Sequence, residues 1–214
     1  MKVLVFDTET TGVVPKSYLP IDKMPYIVQL GFMLYDTNSN EIITNFNEII
    51  KIPQHVVIPQ EASNVHRIYK KDCEEKGIDI KDAINQFKTA YSQADLVVAH
   101  NIIFDNRMVM IECERMGIEC FLLEEISFCT MKNSTKITKI IATNKYGEKY
   151  IKSPRLSELH NHFFGFVPKD LHDAFIDLLV CLRCFGKLMS KPFDVCEHNE
   201  YIRDIINNYK YEKK

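Results

Sequence analysis

Apolar positions along this chain follow two rhythms. Short continuous runs alternate with stretches in which apolar residues recur every three to four positions. Val3-Leu4-Val5-Phe6 is a run of the first kind, and it gives way to Asp7-Thr8-Glu9-Thr10-Thr11-Gly12. Tyr26 to Tyr35 is a longer run, and Glu41 to Ile50 follows after the polar turn Asp36 to Asn40. Runs joined by so short a turn read as an antiparallel meander. Lys51 to Gln60 is extended, with Pro53 and Pro59 as breakers, and Glu61 to Lys76 reads as short helices ended by Gly77. A helix over Lys81 to Tyr91 shows Ile84, Phe87 and Tyr91 at helical spacing, with Asp79 placed to cap it.

Leu96 to Ala99 is a short buried strand, followed by a helix to about Met116 that Gly117 stops, and then by a buried segment near Ile126 to Cys129. Strand, helix and strand in that order predict parallel pairing through a right-handed crossover. Lys132 to Ser153 is polar and basic, with a hairpin-like turn at Asn144 to Gly147. Helices are expected over Leu156 to Phe164, Asp173 to Met189 and, beyond the breaker Pro192, Asn199 to Tyr209. The sum is an α/β fold: three antiparallel strands, then parallel strands, with helices on both faces. The boundaries expected are one domain over residues 1–192, carrying a basic hairpin insertion at 132–153, and a helical C-terminal extension over 193–214.

Composition narrows this little. A chain of 214 residues with 46% hydrophobic and 26% charged residues suits one globular domain. With 27 basic and 29 acidic side chains the net charge is −2, so any nucleic-acid binding must come from a local patch. Seven irregularly spaced cysteines argue for a reducing, intracellular compartment (cytoplasm or nucleus) over a disulfide framework. No apolar run approaches membrane-spanning length, so no membrane partner is expected.

The candidate chemistry begins at the end of the first run. Side chains alternate along a strand, so Asp7 and Glu9 share a face. Two carboxylates at the end of a buried strand repel unless a cation lies between them, and a hard divalent cation takes oxygen ligands. Asp105 falls in the first turn of the helix after Leu96 to Ala99, at the carboxyl end of a strand, where ligands gather in α/β sheets. Taken alone, it reads equally well as an acid favoured by a helix N-terminus. Asp177 lies within an otherwise apolar helix, with Cys181 and Cys184 four and seven residues on, so its face is small or apolar and calls for a cation or a donor. His172 just precedes that helix. Cys181, Cys184, Cys196 and His198 have a loose zinc-like spacing, but read more readily as buried small residues.

Taken together, Phe6-Asp7-Thr8-Glu9-Thr10-Thr11-Gly12, His100-Asn101-x-x-Phe104-Asp105 and His172-x-x-x-x-Asp177 resemble, in order and spacing, the three motifs of the DEDDh family of 3′–5′ exonucleases. Glu61 to Ile68 also resembles a family segment, and the likeness spans roughly Val3 to Met189. The resemblance implies a ribonuclease-H-like mixed sheet. It implies that Asp7, Glu9, Asp105 and Asp177 hold two divalent metal ions, Mg2+ with Mn2+ able to substitute, and that His172 is the general base. Thr8, Thr10, Thr11, Gly12, His66, Asn101 and Phe104 would contact the terminal nucleotide, with core packing an equal reading for Phe104.

The expected activity is release of nucleoside 5′-monophosphates from the 3′ end of DNA, single-stranded or frayed, in proofreading or repair, with a DNA polymerase or another replication protein as a possible partner. The alternatives are a 3′–5′ exoribonuclease and, in another class, an inactive nucleic-acid-binding or polymerase-associated module. Within 132–155, Lys136, Lys139, Lys145, Lys149 and Lys152 form a nucleic-acid patch on one reading and a solvated loop on the other.

Overall fold

The structure, a computed structural model, describes residues 1–17, 19–169 and 171–208. Strand β1 (Lys2–Thr10) is central because it is apolar on both faces: Val3, Leu4, Val5 and Phe6 are all fully buried. Against it lies β2 (Ile27–Asp36), antiparallel, with β3 (Glu41–Ile49) antiparallel on the outer edge. On the other side β4 (Leu96–Ala99) runs parallel to β1 and β5 (Ser127–Cys129) parallel to β4. The sheet order is β3-β2-β1-β4-β5, the mixed five-stranded sheet that the sequence pattern predicts.

The alternation along β1 and β2 sends each set of side chains to its own layer. Leu4, Phe6, Leu30, Phe32 and Leu34 pack against α3 (Ile80–Tyr91) and α4 (Ile102–Met116). Val3, Val5, Met33 and Tyr35 pack against α7 (Ala174–Leu188). Two short helices, α1 (Gln60–His66) and α2 (Lys70–Glu75), lie between β3 and α3. Asp79 caps α3 by accepting the N–H of Lys81 at 2.8 Å, and Gly117 ends α4 in the left-handed conformation.

Two boundaries depart from expectation. The polar stretch after Cys129 is not all hairpin: it opens with helix α5 (Thr130–Thr138), and only then come β6 (Ile141–Thr143) and β7 (Lys149–Ile151), a separate antiparallel pair. Helix α6 (Leu156–Phe164) follows. The C-terminal segment, α8 (Val195–His198) and α9 (Glu200–Asn208), buries Val195, Ile202 and Ile206 in the same layer as Val3 and Tyr35. Its described part therefore packs on the core of residues 1–192. The helix end expected at Tyr209, and residues 209–214, lie outside the described residues. Among the described residues no helix is long and apolar enough to cross a membrane.

The loop after β1 is tied to α4 through a half-buried side chain. Arg115 in α4 donates to the carbonyls of Ile21, Met24 and Pro25 and pairs with Glu112 at 2.8 Å, and its guanidinium stacks 3.5 Å from the Tyr26 ring centroid. Glu112 in turn accepts the N–H of Ile27 at 3.0 Å. Arg115→Ala would strand a buried carboxylate, and a loss of about 3–5 kcal/mol in urea unfolding is expected. A loss below about 1 kcal/mol would mean that the pair behaves like an exposed one.

Candidate functional site

The face of β1 that carries Val3 and Val5 continues into Asp7 and Glu9, so both acids point toward the layer of α7. That helix comes very close to the sheet at its N-terminus. Gly31, opposite Asp7 in β2, has no side chain, and a Cβ there would lie 3.0 Å from Leu178 Cδ2 and 3.1 Å from the carbonyl carbon of Ala174. Gln29, opposite Glu9, completes the attachment. Its Nε2 donates to Asn47 Oδ1 at 2.8 Å and Asp173 Oδ2 at 3.2 Å, and its Oε1 accepts the N–H of Ala174 at 3.2 Å. Asp173 caps α7, accepting the N–H groups of Phe175 and Ile176. Asp177 is thus fixed in the first turn of α7, nearer the helix start than its apolar surroundings in sequence suggest.

Asp177 Oδ2 accepts the N–H of His172 at 3.1 Å, while Asp177 Oδ1 is buried with no hydrogen-bond partner. His172 is exposed and sits in the left-handed region at φ 88°, a conformation that costs a non-glycine residue about 1–3 kcal/mol and is concentrated at functional sites. One ligand atom each from Glu9, His172 and Asp177 lie within 4.8 Å of one another. Asp7, His172 and Asp177 line a cavity of about 520 Å³ together with His100, Asn101 and residues 153–157.

Asp105 approaches from the other side of β1. The ladder of β4 ends opposite Val5, and beyond it Asp105 Oδ1 takes the N–H of Thr8 at 3.0 Å and the Thr8 hydroxyl at 2.7 Å. Burial pushes the carboxyls of Asp105 and Asp177 up to about 7 and that of Glu9 up to about 9, and it holds Asp7 well above the usual range. The charges of the neighbouring acids, Asp173 among them, add to the rise at Asp7, Glu9 and Asp177. An orphaned buried carboxylate oxygen and four acids that resist ionisation describe a site short of positive charge. The donor set, hard oxygens with one imidazole, fits a divalent cation.

Other sequence-predicted residues are placed differently. The hydroxyls of Thr8, Thr10 and Thr11 are turned inward: they bond Asp105, the Gly12 carbonyl and the N–H of Tyr26, and all three threonines are buried. Thr11 and Gly12 border a different cavity, of about 400 Å³. Phe104, in the first turn of α4, packs half-buried against the core. His66 is buried, accepts the N–H of Ile68 at Nδ1 and, with His172 and Asn47, lines a neighbouring cavity of about 370 Å³. Asn101 is exposed in the left-handed conformation at φ 70°, its side chain making no cap bond at the mouth of the Asp7 cavity. Cys181, Cys184 and Cys196 are buried, and Cys181 Sγ lies 3.5 Å from Thr130 Oγ1.

Three residues that hold the site went unread in the sequence: Gln29, Gly31 and Asp173. Gln29 did carry a signal, as the one polar side chain within the apolar run Ile27 to Tyr35. His100 is a wall of the same cavity. Its Nε2 lies 3.1 Å from the Pro154 carbonyl, which can only accept, so this nitrogen carries the proton, and Nδ1 lies 2.9 Å from the Thr130 hydroxyl. Burial lowers its pKa to about 4, leaving it neutral.

Comparison with known proteins bears on this arrangement. A family model described as exonuclease (RNase T) matches residues 4–185. Among solved structures, Exonuclease I of E. coli in complex with a dT13 oligonucleotide superposes with a TM-score of 0.65 at 14% identity, over 87% of this chain and 41% of that one. Exonuclease I from Methylocaldum szegediense superposes with a TM-score of 0.64 at 17% identity, over 97% of this chain and 43% of that one. This chain thus spans less than half the length of these relatives in fold. No match is found among curated proteins.

Proposed function

This chain belongs to the RNase T exonuclease family, and on that premise we propose that it is a metal-dependent 3′–5′ exonuclease releasing nucleoside 5′-monophosphates from single-stranded or frayed DNA ends. The observation that carries the proposal is the meeting of Glu9, His172 and Asp177 within 4.8 Å, two of which, His172 and Asp177, line a cavity with Asp7, while Asp177 Oδ1 is buried without a partner. Asp7, Glu9, Asp105 and Asp177 would hold two divalent ions, Mg2+ with Mn2+ able to substitute. When bound, such ions neutralise the scissile phosphate and lower the pKa of water at its flank.

The chain's own residues do the rest. His172 accepts the proton of the attacking water at its imidazole. Burial and the nearby charge of Arg67 hold its pKa below the usual 6.5, which keeps it neutral, and so able to accept, at physiological pH. Thr8 fixes Asp105 through two bonds to one oxygen, and Gln29 with Asp173 fixes the start of the helix that carries Asp177. Asn101, at the cavity mouth and uncommitted to a cap, is placed to meet the terminal nucleotide.

DNA is favoured because Exonuclease I has been solved with dT13 and dA16 oligonucleotides. The resemblance to proofreading and repair exonucleases sets the context of the proposal. The deciding experiment runs 3′-labelled DNA and RNA oligonucleotides side by side with Mg2+. Mononucleotide release from DNA in preference to RNA is expected. Preference for RNA would transfer the assignment to an exoribonuclease, and no metal-dependent release from either would end the enzyme reading.

A further inference from the structure

The β6–β7 hairpin stands apart from the main sheet and exposes what a protein normally buries. Ile141 and Ile151 face each other across the two strands and are 66% and 53% exposed. Tyr146 at the tip is 76% exposed and Tyr150 50%. A two-stranded hairpin is marginal by itself, and contiguous exposed apolar groups mark interaction surfaces. The tip is nevertheless tied firmly: Asn144 Oδ1 accepts the N–H groups of Tyr146 and Glu148, and Asn144 Nδ2 donates to Glu148 Oε2 at 2.8 Å.

Charge surrounds these rings. Glu148 is the one acid within residues 132–155 and is held by Asn144. Lys152 leaves the patch, because its Nζ lies 2.6 Å from both carboxylate oxygens of Glu158. Lys136, Lys139, Lys145 and Lys149 remain exposed, and Lys145 Nζ sits 5.0 Å from the Tyr146 ring centroid. The hairpin is also continuous with the candidate site. Strand β7 runs directly into Ser153, Pro154 and Arg155, which line the cavity holding Asp7 and Asp177, and His100 clasps the Pro154 carbonyl.

We propose that this hairpin is a grip for the single-stranded nucleic acid that leads into the cavity, with Tyr146 and Tyr150 stacking on bases and Lys145 and Lys149 meeting phosphates. This rests on the exonuclease reading of the site and deepens it, since it assigns the strand upstream of the cleaved end to a defined surface. Aromatic side chains beside cations, on a ribbon with one acid, match the chemistry of sequence-tolerant strand binding. A protein partner would account for the two isoleucines but not for the lysines.

The test uses two double variants, Tyr146→Ala with Tyr150→Ala and Lys145→Glu with Lys149→Glu. Binding is followed by anisotropy of labelled oligo-dT and oligo-U of about twelve nucleotides, in chelator so that no turnover intervenes. The aromatic variant should weaken binding roughly tenfold per tyrosine. The charge variant should flatten the dependence of log K on log salt by about 1.4, two phosphates at about 0.7 each. In turnover, the KM penalty should be larger for the long strand than for a dinucleotide. If the wild-type chain binds and degrades the long strand while neither variant changes affinity, salt slope or KM, the grip is overturned and the exonuclease reading stands. If binding depends on the hairpin but no mononucleotide is released, the exonuclease reading falls and the grip stands. If the wild type binds neither strand, the grip is overturned directly.

Discussion

Replacing Asp7 by Asn is expected to lower metal-dependent turnover by about three orders of magnitude and, in the same protein, to raise the melting temperature of the metal-free form. The first effect follows from the electrostatics of phosphoryl chemistry. Bound cations supply several kcal/mol of charge stabilisation, so loss of a ligand that places them should lower the rate by about three orders of magnitude. The second effect follows from the burial and crowding of the four acids. Their folded-state pKa values lie above the ordinary values of 3.8 and 4.5, at about 7 for Asp105 and Asp177 and about 9 for Glu9.

Below the ordinary carboxylate range both the folded and the unfolded chain hold these protons, and no penalty arises. As pH rises toward about 7 and then about 9, the unfolded chain ionises freely and the folded one resists, so stability is lost. Asn at position 7 removes one of these ionisable groups, and the gain should be a few degrees near neutral pH and close to nothing near pH 4. Scanning calorimetry of wild type and variant at several pH values, with chelator and with Mg2+, checks both halves. Because His66, His100 and His172 have lowered pKa values and add stability as pH rises toward 6.5, the variant is compared with wild type, and a difference in melting temperature that does not grow from about pH 5 to about pH 8 would contradict the assignment of these acids to an uncompensated cluster.

His172→Ala should lower kcat by about 10²–10⁴-fold, the usual contribution of a positioned base. Because the His172 pKa is held below 6.5, the acid limb of the wild-type pH–rate profile should fall below that value and should be absent from the variant. The same imidazole lies within 4.8 Å of ligand atoms of Glu9 and Asp177, so its role as a base must be separated from a role as a ligand. Titration with Mn2+ does so. Metal affinity kept within a few-fold, alongside the loss in kcat, supports the base; affinity that falls in step with kcat would reassign His172 to the metal.

Much of this was legible in the sequence, for identifiable reasons. The Val3–Phe6 run, the Asp7/Glu9 alternation and the glycine stops at 117 and 165 rest on local periodicity and conformation, and each appears where expected. Asp7 and Glu9 at the end of β1 and Asp105 in the first turn of α4 were legible from element order, whereas Asp177, read as lying within its helix, stands in the first turn of α7. What escaped was of two kinds. Helix α5 was hidden because its buried positions are Thr130 and Ser134, spaced like a core stripe but polar, so that no apolar rhythm betrays them. The threonines after Asp7 were read outward because a hydroxyl has no side preference until its partner is known. Those partners, Asp105 and the backbone of Gly12 and Tyr26, include residues that only the folded chain brings alongside.

Gly31 has a mechanical consequence. Because Gly31 adds no side chain of its own, the Ala174 carbonyl at the start of α7 lies close against β2, and the spacing of the backbones that carry Asp177 and Asp7 is set largely by that main-chain approach. Side chains that act as spacers can hop between staggered states, whereas a backbone seated on backbone has one position and high stiffness. The jaw in which the proposed cation would sit therefore has its width set largely by the main chain, and thermal motion can vary it by little more than the compressibility of a packed core allows.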